Sequence, residues 1–264
     1  MRNINSLYPF QIIKRAAHLP QKVLKSVVSN IKNAPHLVFK KSNHGQGTFD
    51  NFYKLFEDKF RGSEEDIKTK MSEYKSLFET LPYDIKDRPV IDLGCGRGEF
   101  LSFAKDIGLN AVGIDMNQTM INRANSLGYK AYKSDALLYI LKQKTNSLAA
   151  ITGFHIVEHI PFKTLQELFN ECYRTLSNNG FALFETPNPK NIIVGTSNFY
   201  LDPSHIKPIP PELLSFALES VGFKTKIIYK HPARDVIEHT DNEVLQIMKE
   251  LYGPQDYAVL AKKV

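Results

Sequence analysis

Cysteine is scarce in this chain of 264 residues, which holds Cys95 and Cys172 and no others. Two cysteines cannot build a disulfide framework, and neither belongs to a CxxC motif or a cysteine–histidine cluster of the zinc-binding type. The chain also lacks the roughly 18-residue apolar run that a membrane-spanning helix needs, and Lys14, Arg15 and Pro20 interrupt the stretch where a signal peptide would be apolar. These absences predict a cytoplasmic protein that is neither exported by a signal peptide nor inserted in a membrane.

Acidic residues are absent from the first 49 residues, which contain eight Lys and Arg side chains. The whole chain has a net charge of +6, so the remaining residues together carry −2 and the basicity is confined to this N-terminal arm. A nucleic-acid-binding protein would spread Lys and Arg over its main domain, so no nucleic-acid partner is expected. The arm mixes basic with apolar residues, which favours binding to an anionic membrane surface through residues 1–41. A solvated tail without a partner is the alternative.

Changes in composition predict the domain boundaries. Residues 42–47 (SNHGQG) have the composition of a flexible joint. Further on, Ser63 precedes three acidic residues and is a candidate N-cap for a helix that runs toward Thr80. The predicted segments are a basic arm of residues 1–49 and a domain of residues 50–264, which consists of a helical cap (50–87) and a core (88–264).

The core alternates short apolar strands with amphipathic helices, which predicts an α/β fold whose largely parallel sheet is covered on both faces. In one helix, Cys172 shares the apolar face with Leu165, Leu168 and Phe169, so it is interpreted as part of the core. Residues 187–211 contain six prolines and no clear element, which is typical of a functional loop. The seven predicted strands are 90–93, 111–115, 131–134, 148–154, 181–185, 225–229 and 257–261.

The sharpest local motif is VIDLGCGRGE at residues 90–99, a strand that leads into three alternating glycines and then a helix. Glycines permit a tight turn and the close approach of a ligand to the backbone. Asp92 directly before them would repel a pyrophosphate, so a cationic ligand suits the loop better. Asp115, at the end of the next strand, can accept both hydroxyls of a ribose, and Asp135 after the third strand can meet an adenine amine.

This combination resembles the class I S-adenosylmethionine-dependent methyltransferases, and the resemblance covers residues 50–264. It implies a Rossmann-like fold with a seven-stranded sheet and S-adenosylmethionine as the cofactor. The cofactor-binding positions that the resemblance implies are Asp92, Gly94, Cys95, Gly96, Asp115, Met116, Asp135, Ala136 and Phe154.

Several flanking motifs are similar to those of methyltransferases that cap or modify bacterial surface glycans, including the O-antigen chain terminators. The resemblance implies that Arg61 lies near the cofactor, although Phe60 stands where a tyrosine is common. The chain terminators continue into a kinase domain and a coiled coil, whereas this sequence ends at Val264, which favours a sugar hydroxyl over a phosphate as the acceptor. The motifs are FRGS (60–63), HIVEHIPF (155–162), FETPNP (184–189), VG (194–195), FYLDPSH (199–205) and GPQDY (253–257).

A sugar hydroxyl must lose its proton as it is methylated, and histidine is the natural general base. His155 and His159 follow the fourth strand, and His205 lies in the proline-rich loop. Glu158 is expected to orient the base or to bind a sugar hydroxyl, and a purely structural His159 is the alternative. The residues expected to contact the acceptor are Asn188, Tyr200 and Asp202.

Some of these residues have simpler interpretations. Asp202 and His205 form either a carboxylate–histidine pair or a turn stabilised by an Asx-type hydrogen bond. Tyr200 and Phe199 form either a sugar-stacking surface or a hydrophobic plug. The i, i+4 spacing of His155 and His159 resembles half a metal site, but Pro161 interrupts a regular helix and no clear third ligand follows, so no metal is predicted.

The leading hypothesis is a methyltransferase that acts on a glycan or a lipid-linked glycan at the inner face of the cytoplasmic membrane. An O-methyltransferase of a membrane-soluble acceptor such as a quinone precursor is the second hypothesis, and a non-catalytic adaptor that binds the cofactor is the third. A polar and aromatic acceptor pocket would favour the sugar, whereas a continuously apolar pocket would favour the quinone precursor. Turnover of the cofactor would exclude the adaptor.

Overall fold

The computed structural model describes residues 64–230 and 251–264, together with Phe56, Lys59 and Gly62. The predicted basic arm and Arg61 lie outside the described residues, so the predicted domain boundaries and the position of Arg61 stay predictions. No helix in the described part is long and apolar enough to cross a membrane.

The described residues form an α/β fold around one seven-stranded sheet, as predicted. The strand order is β3-β2-β1-β4-β5-β7-β6, in which only β7 runs antiparallel to its two neighbours. Each predicted strand is found; β5, β6 and β7 are longer than predicted, and β3 is one residue shorter. The strands are β1 (Val90–Leu93), β2 (Ala111–Asp115), β3 (Ala131–Lys133), β4 (Leu148–Phe154), β5 (Leu176–Pro187), β6 (Lys224–Lys230) and β7 (Asp256–Lys262).

The order of the strands determines where a ligand can bind. β1 pairs with β2 on one side and with β4 on the other. The connection from β1 to β2 and the connection from β3 to β4 therefore run in opposite directions along the sheet, and a crevice opens at the carboxyl ends of β1 and β4. Every residue of β1 and β4 is buried, because helices cover both faces of a parallel sheet. The glycine loop and the histidines that follow β4 therefore share one edge of the sheet.

Eight α-helices lie in the described residues. The face of α6 that contains Leu165, Leu168, Phe169 and Cys172 is fully buried, so Cys172 is part of the core as predicted. The helices are α1 (Glu64–Ser72), α2 (Lys75–Glu79), α3 (Glu99–Asp106), α4 (Gln118–Ser126), α5 (Ala136–Leu141), α6 (Phe162–Thr175), α7 (Ile192–Thr196) and α8 (Pro211–Glu219).

Two sequence-based expectations need correction. The single helix expected to run toward Thr80 is two helices, because the chain turns at Tyr74, whose ring is buried under the sheet edge. The proline-rich segment is not without structure, since it contains α7 and the 3₁₀ turn Asn198–Leu201. Asn191 begins α7 by accepting hydrogen bonds from the backbone N–H groups of Ile193 and Val194, a cap that a proline count does not reveal.

Candidate active site

The glycine loop after β1 has the backbone conformation that the motif predicts. Gly94, Gly96 and Gly98 have φ angles of +70°, +47° and +93°, in the left-handed region that side chains rarely adopt. A Cβ atom on Gly94 would also lie 3.1 Å from the side chain of Ile156, so the loop is closely packed against the end of β4. The N–H groups of Gly94 and Cys95 donate to the Ile114 carbonyl, which holds the loop beside β2.

Asp115 connects the glycine loop to the segment after β2. Its carboxylate accepts hydrogen bonds from the backbone N–H of Gly96 at 3.0 Å and from that of Asn117 at 2.7 Å. A carboxylate has about four acceptor positions, and ribose hydroxyls are among the donors that it can accept from. Met116 follows at the strand end and is 65% exposed, in the position expected to lie beside the cofactor.

Two further acids occupy the same edge. Asp92 is buried in β1, where it accepts a 2.7 Å hydrogen bond from the hydroxyl of Thr152 on β4. Asp135 begins α5 by accepting a hydrogen bond from the Leu138 N–H, and Ala136 follows at the first position of the helix. The carboxylates suit a ligand that offers an ammonium group, a sulfonium and ribose hydroxyls, which is the chemistry of S-adenosylmethionine.

Cys95 and Phe154 are buried at this edge. Burial and the nearby acids raise the pKa of the Cys95 thiol, so it stays protonated and is not a nucleophile. The Phe154 ring packs at 5.6 Å from Phe100 and at 5.8 Å from Tyr74, measured between ring centroids. These contacts form the apolar floor between the glycine loop and α1.

His155 directly follows β4 in a strained conformation. Its φ angle is +54°, and its N–H donates to the Glu185 carbonyl. The ring lies near three carboxylates: Nδ1 is 3.3 Å from Glu158, and Nε2 is 3.7 Å from Glu185 and 3.9 Å from Asp256. Burial alone would lower the pKa of His155, but the three carboxylates outweigh it and raise the pKa to about 9.

Glu158 is the most deeply buried acid of the group, with 1% of its surface exposed. Its Oε2 accepts a 2.9 Å hydrogen bond from the Thr186 hydroxyl, whereas no hydrogen-bond donor reaches its Oε1 among the described residues. Burial favours the neutral acid, but the contact with His155 and the charge of that ring hold the pKa of Glu158 below its ordinary value.

His159 and His205 come from separate segments and pack against each other with ring centroids 4.7 Å apart. His159 Nδ1 lies 3.0 Å from the Ser204 hydroxyl, which donates a 2.5 Å hydrogen bond to Asp202. His205 Nδ1 lies 2.5 Å from the Phe199 carbonyl. Burial lowers the pKa of His159, so this ring is neutral near pH 7.

A cavity of about 60 Å³ lies between α1 and the ends of β4, β5 and β7. Tyr74 closes one side and donates a hydrogen bond from its hydroxyl to Glu185. Sequence reasoning missed Tyr74, Glu185 and Asp256 as site residues, although Glu185 lies in the FETPNP motif at a strand end and could have been found there. The cavity is lined by Ile67, Lys70, Met71, Tyr74, Phe154, His155, Glu185 and Asp256.

The loop residues expected to contact the acceptor occupy different environments. Asn188 is buried and its amide donates to the Pro254 carbonyl, so it holds two loops together, and its acceptor contact stays a prediction. Phe199 is buried, as the plug interpretation predicts, while Tyr200 is 64% exposed. Asp202 accepts hydrogen bonds from both the hydroxyl and the N–H of Ser204, and its other oxygen lies 3.9 Å from His205 Nε2. The Asx-type turn and the carboxylate–histidine proximity thus coexist.

Comparison with known proteins agrees with this geometry. Residues 64–226 match the methyltransferase domain family. A SAM-dependent methyltransferase of known structure from Archaeoglobus fulgidus is 35% identical, with a TM-score of 0.71 over 80% of this chain and 100% of that one. A probable S-adenosylmethionine-dependent methyltransferase from Mycolicibacterium smegmatis is 22% identical over 153 residues, and this chain spans 58% of its length.

A more distant structure of this fold contains S-adenosylhomocysteine, the form of the cofactor that remains after methyl transfer. Geranyl diphosphate C-methyltransferase from Streptomyces coelicolor was crystallised with Mg²⁺, geranyl diphosphate and S-adenosylhomocysteine. It is 17% identical, with a TM-score of 0.53 over 73% of this chain and 79% of that one, so the likeness shows the fold alone. The family match, in contrast, covers more than half of the chain, including the glycine loop, Asp115 and the histidines after β4. The chain therefore belongs to the class I methyltransferases, enzymes that take their methyl group from S-adenosylmethionine.

Proposed function

We propose that this methyltransferase transfers the methyl group to a hydroxyl of a sugar in a bacterial surface glycan. The observation that carries the proposal is the lining of the cavity under α1, where the carboxylates of Glu185 and Asp256 lie beside the rings of Tyr74 and Phe154. Its volume of about 60 Å³ has room for one or two hydroxyl groups of an acceptor and not for a whole sugar ring. Carboxylates accept hydrogen bonds from sugar hydroxyls. The similarity of the flanking motifs to glycan-capping methyltransferases supports the same acceptor.

Binding of a quinone precursor would require a continuously apolar pocket. Four of the eight lining residues carry an ionisable side chain in addition to Tyr74, namely Lys70, His155, Glu185 and Asp256. Burying such groups against an apolar ring would remove them from water, which costs free energy. The lining therefore supports a polyhydroxylated acceptor over a quinone precursor.

The histidines have different parts in the proposed reaction. A pKa of about 9 keeps His155 protonated at neutral pH, so it balances the charges of Glu158, Glu185 and Asp256 and is not the general base. His159 is neutral, and its Nδ1 is engaged by Ser204, so Nε2 can accept the proton of the acceptor hydroxyl. A well-placed base of this kind is worth on the order of 10² to 10⁴ in rate.

The proposed acceptor is lipid-linked, and the basic arm would bring the enzyme to it. The arm contains eight basic and no acidic residues over 49 positions, which suits the anionic headgroups of the inner membrane leaflet. The catalytic domain then needs no membrane-spanning helix of its own to reach a glycan that is assembled at the membrane.

The acceptor class is tested by incubating the full chain with isotopically labelled S-adenosylmethionine and three acceptors, followed by mass spectrometry. The acceptors are an oligosaccharide with free hydroxyls, the same oligosaccharide with a terminal phosphate, and a catechol-type quinone precursor. We expect a labelled methyl ether on the free oligosaccharide only. Methylation of the phosphate or of the catechol alone would replace the proposal by the corresponding acceptor class.

Variants separate binding from chemistry. Asp256→Asn should raise the KM for the oligosaccharide and leave the affinity for S-adenosylmethionine unchanged, whereas Asp106→Asn, on the surface of α3, should change neither.

His159→Ala should lower the single-turnover rate by a factor on the order of 10² or more. If His159→Ala and His205→Ala both react within a few-fold of the parent, the acceptor needs no base and is not a hydroxyl.

A further inference from the structure

Three potential metal ligands converge from two segments that are far apart in the chain. Glu158 and His159 belong to the 3₁₀ turn Val157–His159, and His205 belongs to the loop before α8. Each offers one ligand atom, and these three atoms lie within 4.8 Å of one another. His155, which the i, i+4 spacing suggested as a ligand, is not part of this group, and His205 supplies the third ligand that was not evident in the sequence.

The hydrogen bonds of both histidines leave Nε2 as the nitrogen with a free lone pair. The Phe199 carbonyl can only accept, so His205 Nδ1 carries a hydrogen and donates it across 2.5 Å. The Ser204 hydroxyl gives its own hydrogen to Asp202, so it accepts from His159 Nδ1. Metal-binding histidines are typically held in this way, by a hydrogen bond from the other ring nitrogen to a carbonyl or to a group connected with a carboxylate.

Glu158 contributes an oxygen that lacks a hydrogen-bond partner. Its Oε1 is buried, and no donor reaches it among the described residues. His205 Nε2 lies 3.8 Å from this oxygen, and His155 Nδ1 lies 3.3 Å from it without hydrogen-bond geometry. The protonated His155 ring balances the charge of Glu158, but the lone pair of His205 Nε2 and this oxygen still face each other at 3.8 Å as two acceptors without a shared hydrogen, an arrangement that a cation between them would stabilise.

From these contacts we propose that Glu158, His159 and His205 bind a divalent first-row transition-metal ion such as Zn²⁺. Two histidines and one carboxylate form a common donor set for such ions, and three protein ligands leave a coordination position open. Bond lengths of about 2.0–2.1 Å place two ligands of a tetrahedral ion about 3.3 Å apart. The three side chains therefore have to close by about 0.5 to 1.5 Å around the ion.

The ion would act on the same step as the proposed base. If His159 binds the metal it is not the general base; the ion would instead lower the pKa of a hydroxyl in the open position, and the proton of that hydroxyl would pass to solvent water as the methyl group is transferred. This role rests on the proposed function, whereas the binding of the ion does not, because it can be measured without acceptor or cofactor.

Isothermal titration calorimetry of the chelator-treated full chain with Zn²⁺ tests the proposal. We expect the parent to bind one Zn²⁺ ion per chain. His205→Ala and Glu158→Gln should each weaken the affinity for this ion at least tenfold. His155→Gln removes a neighbouring positive charge outside the ligand set, so this variant should still bind one Zn²⁺ ion, at least as tightly as the parent. Titration with Co²⁺ should give visible absorption bands in the parent that are lost in His205→Ala.

Folding of the variants is checked independently by circular dichroism and thermal unfolding. Zn²⁺ should raise the Tm of the parent and of His155→Gln, and it should not raise that of His205→Ala. Absence of stoichiometric binding to the parent overturns the proposal. Equal affinity of the parent and a folded His205→Ala variant also overturns it, because the ion then binds elsewhere in the chain.

Discussion

Asp115 stabilises the fold with the same carboxylate that is predicted to bind the ribose of the cofactor. Its two backbone hydrogen bonds, from Gly96 and Asn117, set the distance between the glycine loop and the segment after β2. The predicted contact with the ribose uses the same carboxylate as an acceptor. A substitution at this position is therefore expected to affect the binding of S-adenosylmethionine directly, through the lost charge, and indirectly, through the loop.

We expect Asp115→Ala to weaken the binding of S-adenosylmethionine at least tenfold. The loss of a charged acceptor for buried hydroxyls corresponds to roughly 1.5 to 3 kcal/mol. Calorimetric titration measures the affinity, with Asp106→Ala as the matched control, since Asp106 is an exposed acid on α3. An unchanged affinity of Asp115→Ala would contradict the assignment of the ribose site.

The raised pKa of His155 leads to a prediction of how the free energy of unfolding depends on pH. The folded protein holds the proton of this ring up to a pKa of about 9, whereas the unfolded chain releases it near 6.5. Between these values the folded state binds more protons, so the stabilisation is complete below pH 6.5 and is lost as the pH rises through 9. Because the ring is 31% exposed, we expect a loss of only about 1 to 2 kcal/mol.

Urea unfolding at several pH values between 6.5 and 9 measures this loss. His155→Gln removes the titrating group, so the free energy of unfolding of this variant should change much less over the same range. Parallel curves for the parent and the variant would show that another group causes the dependence.

At the scale of elements, one lysine joins the end of β7 to the helix–strand junction between α6 and β5. Lys263 Nζ donates to the carbonyls of Tyr173 and Leu176 and to the side chain of Asn146, at 2.7 to 2.8 Å. These acceptors lie where α6 ends and β5 begins. Lys263 thus connects the end of the antiparallel strand β7 to the parallel part of the sheet.

Lys263→Met should lower the free energy of unfolding by about 2 to 3 kcal/mol, because buried carbonyl groups lose a charged donor. Lys262→Met is the matched control, since Lys262 is the neighbouring residue and its side chain is exposed. Urea unfolding of the two variants provides the comparison. If both lose the same stability, the hydrogen bonds of Lys263 are not the cause.

Element boundaries show where local signals suffice. The strands β1, β2 and β4 begin and end at the predicted residues, because each is a short apolar run bounded by polar or glycine residues. The break between α1 and α2 was not predicted, because it depends on the burial of Tyr74 beneath a strand edge far away in sequence. The short α7 was missed as well, since prolines obscured the cap at Asn191.

For the whole molecule, the distribution of charge leads to a prediction about membranes. The eight basic residues of the arm can each contribute at most about 1 kcal/mol near an anionic surface, and less in sum. We expect the full chain to co-sediment with phosphatidylserine-containing vesicles at low salt and to be released as the ionic strength rises.

Deletion of residues 1–41 should abolish this co-sedimentation while a water-soluble acceptor is still methylated. Neutral phosphatidylcholine vesicles are the control for binding that does not depend on charge. Equal co-sedimentation of the full and the shortened chain would show that the arm is not the anchor.

The sequence by itself determined the seven strands, the glycine loop and the positions of the acids in β1, at the end of β2 and after β3, because these features depend on neighbouring residues. The tertiary structure alone decided that β7 lies antiparallel between β5 and β6, which no local pattern specifies. It also brought Glu158 to His205, and Tyr74 to Glu185, which is 111 positions away. Such contacts arise when helices and loops pack over one edge of the sheet, and packing depends on the shape of the whole core rather than on spacing along the chain.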